Sequence, residues 1–330
     1  MRNAIVLAAG KGTRMKSDRS KVMHTIIDRS MLAYIIDALR AVSVERIVVI
    51  VGYQAESIKE AFPDVEFALQ QPQLGTGHAV MQATQLKDED GDTLIINGDG
   101  PCIQPETLEK LFQTNQDASL TLLTSVLDDG AHYGRIVRDE NSHVQAIVEA
   151  KDCTEEQKQI CEINAGMYCF KNRDLFDNLD KLTTNNAQHE YYLTDLVKIL
   201  ANQGKVVKGL VVEDRDEVMG INDCVELHKA YEWMRNNNWM KEGVQIVDPL
   251  RTVIGKDVTI GHDVIIHPNV EILGHTEIGD FVEILPGSYL NNSKIEDRAI
   301  VDSSKVVNSC IEEGSVVGPM SYVSNNKTIK

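Results

Sequence analysis

The chain lacks the sequence features of several protein classes. Its six cysteines include no Cys-x-x-Cys pair and its nine histidines are not clustered, which argues against a zinc site or a disulfide framework. No apolar run approaches the roughly 20 residues that a membrane-spanning helix needs, and the N-terminus has no signal-peptide pattern. We therefore expect a cytoplasmic protein with no membrane partner.

Positive charge is also scarce. The chain has 33 Lys and Arg against 50 Asp and Glu, a net charge of −17 and a pI near 4.9, which argues against nucleic acid as a partner because backbone binding needs a basic face. One segment reverses this balance. Between residues 11 and 21 only Asp18 opposes five basic side chains, which are Lys11, Arg14, Lys16, Arg19 and Lys21. A local reversal of sign predicts an anionic substrate.

The basic segment belongs to a glycine-containing loop that follows an apolar run, Ala4–Leu7. We call residues 8–20 the phosphate loop. A dinucleotide-binding fingerprint would need glycine where Met15 stands, and a Walker A loop would need Gly-Lys-Ser/Thr, which the chain does not contain. The glycines at positions 10 and 12 allow the backbone N–H groups to approach an anion. The segment predicts a strand that leads into a nucleoside triphosphate site.

The first half of the chain alternates strand-like and helix-like patterns, which predicts a doubly wound α/β sheet. The apolar runs are 5–7, 46–51 and 94–96, and the helical patterns are 31–42 and 77–86. In such sheets ligands bind beyond the carboxyl ends of the strands, so the loops 10–14, 75–77 and 98–101 should meet at one crevice. Residues 118–170 read as a β-rich addition that covers one side of this crevice.

The last third of the chain carries a six-residue repeat. Large aliphatic residues recur in phase at 254, 260, 266, 272, 278, 284 and 290, and resume at 295, 301, 307, 311, 317, 323 and 329. A period of six predicts a parallel β-helix, here of about four coils. The flat faces of such helices usually pack around a three-fold axis, so we expect a homotrimer. The predicted organisation is a domain at 1–224, a connector at 225–246 with a helix over 225–241, and the β-helix at 247–330.

The motifs together resemble those of the bacterial N-acetylglucosamine-1-phosphate uridylyltransferases, in the same order along residues 4–225. The matching segments are Leu7–Met15 with Lys21, then Leu69–Gln70, Gln73–Ala79, Gly98–Asp99, Tyr133–Ile136, Ile147–Glu149, Glu162–Gly166, Asn186–Gln188, Glu190–Asp195 and Gly220–Asn222. The resemblance implies a Rossmann-like nucleotidyltransferase domain followed by a left-handed β-helix. It also implies that the chain transfers UMP from UTP to N-acetylglucosamine 1-phosphate. Family members carry an acetyltransferase centre on later coils, so we expect no acetyltransferase activity from this chain.

The resemblance also implies roles for individual residues. Arg14 and Lys21 correspond to the catalytic cations, and Asp99 and Asn222 to the ligands of Mg²⁺. The uridine pocket corresponds to Leu7, Ala8, Ala9, Gly10, Gln70, Gly75 and Thr76. The sugar pocket corresponds to Gly134, Glu149, Asn164, Tyr192 and Thr194.

Five positions depart from the family pattern: Ser20, Asn97, Gly100, Ala165 and His189. Changes beside Asp99 could alter substrate fit or rate, so two other functions stay open. One is a pyrophosphorylase for another sugar phosphate and nucleotide. The other is a non-catalytic trimeric regulatory or scaffold protein, although the four charged and metal-binding positions are all retained.

Overall fold

The computed structural model describes residues 1–130, 132–235, 238–240 and 242–330. These residues form two compact units. Residues 1–24 and 30–230 form the first, which we call the α/β unit, and residues 25–29 and 231–330 form the second, the β-helix unit. The chain therefore passes from one unit to the other three times.

The α/β unit is built on a nine-stranded sheet, in which β1 lies between β4 and β6 and is parallel to both. Its main path has the order β11-β7-β10-β6-β1-β4-β5, and β8 and β9 form an antiparallel addition beside β10. The first eleven strands of the chain are β1 (Arg2–Leu7), β2 (Thr25–Ile26), β3 (Arg29–Ser30), β4 (Arg46–Val51), β5 (Glu66–Leu69), β6 (Asp92–Asn97), β7 (Leu120–Val126), β8 (Arg135–Arg138), β9 (Val144–Val148), β10 (Glu162–Lys171) and β11 (Val207–Val211).

Helices cover the sheet on both faces. Successive residues of β1 show this, because Ala4 and Val6 pack in one hydrophobic cluster and Ile5 packs in another. The helices are α1 (Met31–Ala41), α2 (Ala55–Ala61), α3 (Thr76–Met81), α4 (Pro105–Thr114), α5 (Asn172–Phe176), α6 (Asp195–Asn202) and α7 (Cys224–Arg235). The expected doubly wound sheet is confirmed. The helical pattern at 77–86 is divided into α3 and a separate 3₁₀ turn at Thr84–Leu86.

The β-helix unit consists of three five-stranded parallel sheets. Each sheet takes every third strand, so the β-helix has five coils where about four were expected. The additional coil begins with β12, which precedes the first repeat recognised in the sequence. The left-handed parallel β-helix is confirmed. Its strands are β12 (Gln245–Ile246), β13 (Val253–Ile254), β14 (Thr259–Ile260), β15 (Ile265–Ile266), β16 (Glu271–Leu273), β17 (Glu277–Ile278), β18 (Glu283–Ile284), β19 (Tyr289–Asn291), β20 (Lys294–Ile295), β21 (Ile300–Val301), β22 (Lys305–Val307), β23 (Cys310–Ile311), β24 (Val316–Val317), β25 (Tyr322–Val323) and β26 (Thr328–Ile329).

The aliphatic repeat points into the β-helix, with one exception. Ile272, Ile284 and Leu290 are fully buried. At β22, however, the inward residue is Val306 and not the predicted Val307, because Val306 pairs with Leu290 and Val307 pairs with Asn291. A shortened coil moves the repeat by one position, which a strict count of six cannot follow.

Two segments link the units. The connector helix α7 begins one residue before the predicted start and ends at Arg235, and the predicted end at Lys241 lies outside the described residues. Earlier in the chain, the β2–β3 hairpin packs within the β-helix unit, where Arg29 forms an ion pair with Asp257. Among the helices that the structure describes, none has the length and apolar character to cross a membrane.

Candidate active site

The candidate site lies at the carboxyl ends of the central parallel strands. Leu7 at the end of β1 pairs with Asn97 at the end of β6, so the phosphate loop and the segment that carries Asp99 start side by side. Asn222 reaches the same place from the distant end of the unit. The backbone N–H of Ile221 donates to the carbonyl oxygen of Asp99 (2.9 Å), and the N–H of Asn222 donates to Glu226 in the first turn of α7 (2.6 Å).

Glycine at position 12 makes room for Lys21. Its φ of +62° is in the left-handed region that glycine adopts readily, and a Cβ built there would lie 2.6 Å from the Cβ of Lys21. Gly12 therefore allows the stem of Lys21 to cross the loop. Gly10 has a different environment. It lines an open cavity, and a Cβ at this position would have no neighbour within 4 Å.

Four predicted site residues form one polar cluster, which we call the cation cluster. Lys21 Nζ lies 2.5 Å from Asp99 Oδ2 and 3.2 Å from Asn222 Oδ1. The Nη2 of Arg14 donates to the same Asn222 oxygen at 2.7 Å. Residues from three distant parts of the sequence thus place two cations and two oxygen ligands within direct contact.

The cation cluster suits a divalent metal. The oxygens of Asp99 and Asn222 converge on one positive centre, which is the Lys21 ammonium in this structure. In the described part of the chain, no group of three or more His, Cys, Asp or Glu side chains is placed to hold a metal. A cation at this position would therefore take two protein oxygens and complete its coordination with phosphate and water, the usual manner of small hard cations at phosphate sites.

The first of two cavities, about 340 Å³, lies over the phosphate loop. Gln70, which is buried, donates through Nε2 to the carbonyl of Gly75 at 2.9 Å, and its Oε1 has no partner among the described residues. Gly75 has φ +108°, and a Cβ there would lie 2.6 Å from the carbonyl oxygen of Tyr191. All of the predicted uridine-pocket residues line this cavity: Leu7, Ala8, Ala9, Gly10, Gln70, Gly75 and Thr76.

His78 supports the side chain of Gln70, and this contact was not predicted from the sequence. His78 Nδ1 lies 3.3 Å from Gln70 Nε2, and His78 Nε2 lies 3.3 Å from the amide of Gln82. His78 was not among the predicted site residues. The signal that could have revealed it is its position on the first turn of α3, three residues after Gly75, which lines the first cavity.

The second cavity, about 280 Å³, adjoins the first. Leu7, Thr76, Asn97 and Asp99 line both, so the two cavities meet at the cation cluster. Of the predicted sugar-pocket residues, four line the second cavity, namely Gly134, Glu149, Asn164 and Thr194. Tyr192 lines neither cavity and is buried beside them.

The polar side chains that line the second cavity are held in place by hydrogen bonds to neighbouring residues. Thr194 donates to Glu149 Oε1 at 3.0 Å, and burial raises the pKa of the Glu149 carboxyl above its ordinary value. Asn164 donates to the hydroxyl of Tyr168 (2.6 Å) and accepts from the N–H of Gly166 (3.0 Å), where the pairing of β10 with β7 shifts register. The sequence analysis did not foresee this irregularity.

The departures from the family pattern divide into two groups. Asn97, Gly100 and Ala165 line the second cavity, so they are placed to affect substrate fit. Ser20 and His189 line neither cavity; Ser20 is buried in the phosphate loop, and His189 lies in an exposed turn at φ +56°.

Comparisons with known proteins agree with both units. Residues 4–193 match the MobA-like NTP transferase domain, and residues 257–292 match the bacterial transferase hexapeptide family of six repeats. The bifunctional protein GlmU of Limosilactobacillus reuteri is 45% identical over 329 residues, which cover 98% of this chain and 72% of the relative. That of Clostridium beijerinckii is 44% identical over 334 residues, which cover 99% of this chain and 73% of the relative.

A solved structure, HddC from Yersinia pseudotuberculosis, resembles the chain with a TM-score of 0.54 and 24% identity. The match covers 71% of this chain and all of HddC, and it supports the fold of the nucleotidyltransferase part. The nucleotidyltransferase family to which the GlmU relatives belong generally uses a divalent metal, which agrees with the side-chain oxygens of Asp99 and Asn222 in the cation cluster.

Proposed function

The chain belongs to the GlmU family, and from this premise and the geometry of the site we infer that it transfers UMP from UTP to N-acetylglucosamine 1-phosphate and releases pyrophosphate. One observation carries the inference most directly. The cation cluster lies where two cavities meet, so a nucleotide in one and a sugar phosphate in the other would bring their phosphates together beside Arg14 and Lys21.

The reaction needs charge neutralisation more than proton transfer. The attacking group is an oxygen of the sugar phosphate, which is already ionised at neutral pH, and the attack displaces pyrophosphate from the α-phosphorus of UTP. No general base is required, and the site is correspondingly built of cations and oxygen ligands. Arg14 and Lys21 neutralise the triphosphate and hold the two phosphates in position for attack.

We propose that Asp99 and Asn222 hold Mg²⁺. A metal held by these two side chains would neutralise phosphate charge. The protein side supplies one anionic and one neutral oxygen. In the structure Lys21 contacts both, so the ammonium is close to the same phosphates that the metal would bind.

The first cavity supports recognition of uracil. Gln70 uses its amide nitrogen on Gly75, and His78 contacts the same nitrogen, which leaves the carbonyl oxygen Oε1 to accept from a base bound in the first cavity. Uracil offers a donor at N3, whereas cytosine offers an acceptor there. An oriented acceptor on the protein therefore favours the uridine nucleotide.

The second cavity supports recognition of the sugar. Glu149 and Thr194 present a hydrogen-bonded pair of oxygens. Gly134 lies beside them, where a Cβ would lie 2.9 Å from Cγ2 of Ile147, so a larger residue would crowd this wall of the pocket. A carboxylate is a strong acceptor for sugar hydroxyls and amide N–H groups. We propose Asn164 and Tyr192 as supports of this pocket.

We also propose that the chain consists of a nucleotidyltransferase domain at 1–224, a connector at 225–246 and the β-helix at 247–330, and that it forms a homotrimer through residues from about 251 onward. The β-helix unit exposes large apolar side chains that a partner would cover, among them Phe281, Val316, Met320 and Tyr322. We place the protein in the cytoplasm, where UTP and sugar phosphates are available. Light scattering that shows only a 36.7 kDa species at high micromolar concentration would contradict the trimer.

The test of the function is a grid of nucleoside triphosphates and sugar 1-phosphates, with pyrophosphate release as the readout. We expect the highest kcat/KM for UTP with N-acetylglucosamine 1-phosphate, and no turnover without a divalent metal. A faster reaction with another pair would move the chain to another pyrophosphorylase specificity. No turnover with any pair would favour the non-catalytic alternative.

A further inference from the structure

We propose that Gln54 is a positioning residue that closes the phosphate loop and thereby holds Lys21 in place. Gln54 is the residue immediately before α2 and lines neither cavity of the site. The proposal rests on the catalytic role that the proposed function gives to Lys21. Three observations support it.

The first observation is a pair of side-chain hydrogen bonds to the end of the loop. Gln54 Oε1 accepts from the backbone N–H of Ser20 at 3.1 Å, and its Nε2 donates to the carbonyl oxygen of Asp18. The hydroxyl of Tyr53 lies 3.4 Å from the same carbonyl. One carboxamide thus binds a donor and an acceptor of the loop backbone, which determines its path directly before Lys21.

The second observation is that the same segment also holds the start of the loop. The backbone N–H of Tyr53 donates to the carbonyl oxygen of Ala9 at 3.3 Å, and the side chain of Gln73 donates to that oxygen as well. Residues 53 and 54 therefore bind both ends of the phosphate loop. We call them the loop clip.

The third observation is the backbone of Gln54, whose φ of +53° is in the left-handed region. A residue with a Cβ is less stable there by about 1–2 kcal/mol, and such strain persists only where the surroundings enforce it. A glycine would adopt this conformation freely but could not reach the loop. The strained conformation is what directs a long carboxamide at Asp18 and Ser20.

The effect reaches Lys21 through the backbone. Ser20 begins the 3₁₀ turn Lys21–Met23, in which its carbonyl accepts from the N–H of Met23 at 3.0 Å. Because the N–H of Ser20 is bound by Gln54 and its carbonyl by Met23, the backbone of Lys21 has little conformational freedom. The Lys21 side chain then crosses Gly12 to reach Asp99.

The test uses Gln54→Gly, with Ser43→Gly as a matched control. Ser43 is exposed, has φ +56° and lies just before β4, whereas Gln54 lies just after it. Both substitutions relieve a left-handed residue and add the same flexibility to the unfolded chain. They differ in that only Gln54→Gly removes the side-chain hydrogen bonds to Asp18 and Ser20. We expect kcat to fall five- to tenfold in Gln54→Gly with little change in KM, and to be unchanged in Ser43→Gly.

A double-mutant cycle shows whether the effect passes through Lys21. In a Lys21→Met background, Gln54→Gly should change kcat by less than twofold, because the group that it positions is absent. A full five- to tenfold fall in that background would overturn the proposal, and so would wild-type kcat in Gln54→Gly alone.

A readout independent of turnover is tryptic cleavage within the phosphate loop, after Lys16 or Arg19. Without ligands, Gln54→Gly should be cleaved several times faster than wild type or Ser43→Gly, since the loop opens. Equal cleavage rates would overturn the proposal. If wild type fails to make UDP-N-acetylglucosamine, the proposed function fails, and tryptic cleavage alone then decides whether the clip exists.

Discussion

The two units of the chain use their residues in opposite ways. In the α/β unit the cation cluster takes single residues from positions 14, 21, 99 and 222, and each makes its own contact in the cluster. In the β-helix unit the same buried position recurs from coil to coil, as with Ile266, Ile284 and Val301. A substitution should therefore remove chemistry in the first unit and only stability in the second.

The β-helix unit repeats its polar contacts as well as its apolar ones. Buried serines accept from the backbone of the next coil: Ser309 N–H donates to Ser293 Oγ at 3.2 Å, and Ser321 N–H donates to Ser304 Oγ at 3.0 Å. Because each contact has equivalents above and below it, the unit can lose one of them and keep its form. The four predictions that follow test this contrast.

The largest effect is expected at the catalytic cations. Lys21→Ala and Arg14→Ala should each lower kcat/KM by about 10² or more, or about 3 kcal/mol, because each removes a charge from the transition state. Steady-state kinetics measure this, with unfolding midpoints as a check on the fold. Lys16→Ala is the matched control, since Lys16 is exposed in the same loop and lines neither cavity. An equal loss of kcat/KM in Lys16→Ala would mean that the overall charge of the loop, and not the individual cation, causes the effect.

The next effect concerns the metal. Asp99→Asn exchanges the one anionic ligand for a neutral one, so about tenfold more Mg²⁺ should be needed for half-maximal rate. Binding of Mn²⁺, measured by its electron paramagnetic resonance signal, should weaken in parallel. Superimposable metal titrations for wild type and Asp99→Asn would remove Asp99 from the metal site.

In the β-helix unit we expect a stability effect alone. Ile266→Ala should lower the free energy of unfolding of that unit by about 3 kcal/mol, because Ile266 is fully buried and leaves a cavity. Ile265→Ala, one residue earlier and partly exposed, should cost much less. Denaturant titrations at one protein concentration compare them, and kcat of both variants should equal that of wild type. A loss of kcat in folded Ile266→Ala would contradict the contrast between the units.

The smallest effect is expected from Glu149. Burial raises the pKa of its carboxyl in the folded state, so the folded protein binds the proton more tightly than the unfolded chain does. Stability therefore decreases as the pH rises from the unfolded pKa through the raised one. Glu149→Gln removes this loss and should stabilise the protein at pH 7, on the order of 0.5 kcal/mol. The gain should vanish in unfolding curves at acid pH; a gain that is the same at every pH would have another cause.

The sequence was most informative where structure repeats. The six-residue period predicted the β-helix and most of its inward residues. It missed the first coil, which begins with β12, and it placed Val307 inside where a shortened coil puts Val306. Periodicity reports burial directly, because each coil faces the same interior. A local change of coil length leaves no sign in residue type.

Part of the site was predicted for a different reason. Sequence motifs identified residues that line the cavities, such as Gly75 and Glu149, and the structure brings these residues to two adjoining cavities. The residues that support them were not predicted. His78 and Gln54 act through hydrogen bonds to segments far away in sequence, and a left-handed glutamine cannot be recognised from residue type. Such support depends on tertiary contacts that a local pattern does not contain.

The placement of residues 25–29 within the β-helix unit has a consequence for synthesis on the ribosome. Arg29 emerges early, whereas its partner Asp257 follows more than two hundred residues later. At about 5–20 residues per second, the hairpin waits roughly 10 to 45 s for the coil against which it packs. The residues of the α/β unit, which end near residue 230, are thus all synthesised before this short stretch can dock, so a segment that is among the first to be made depends on a coil that is made much later.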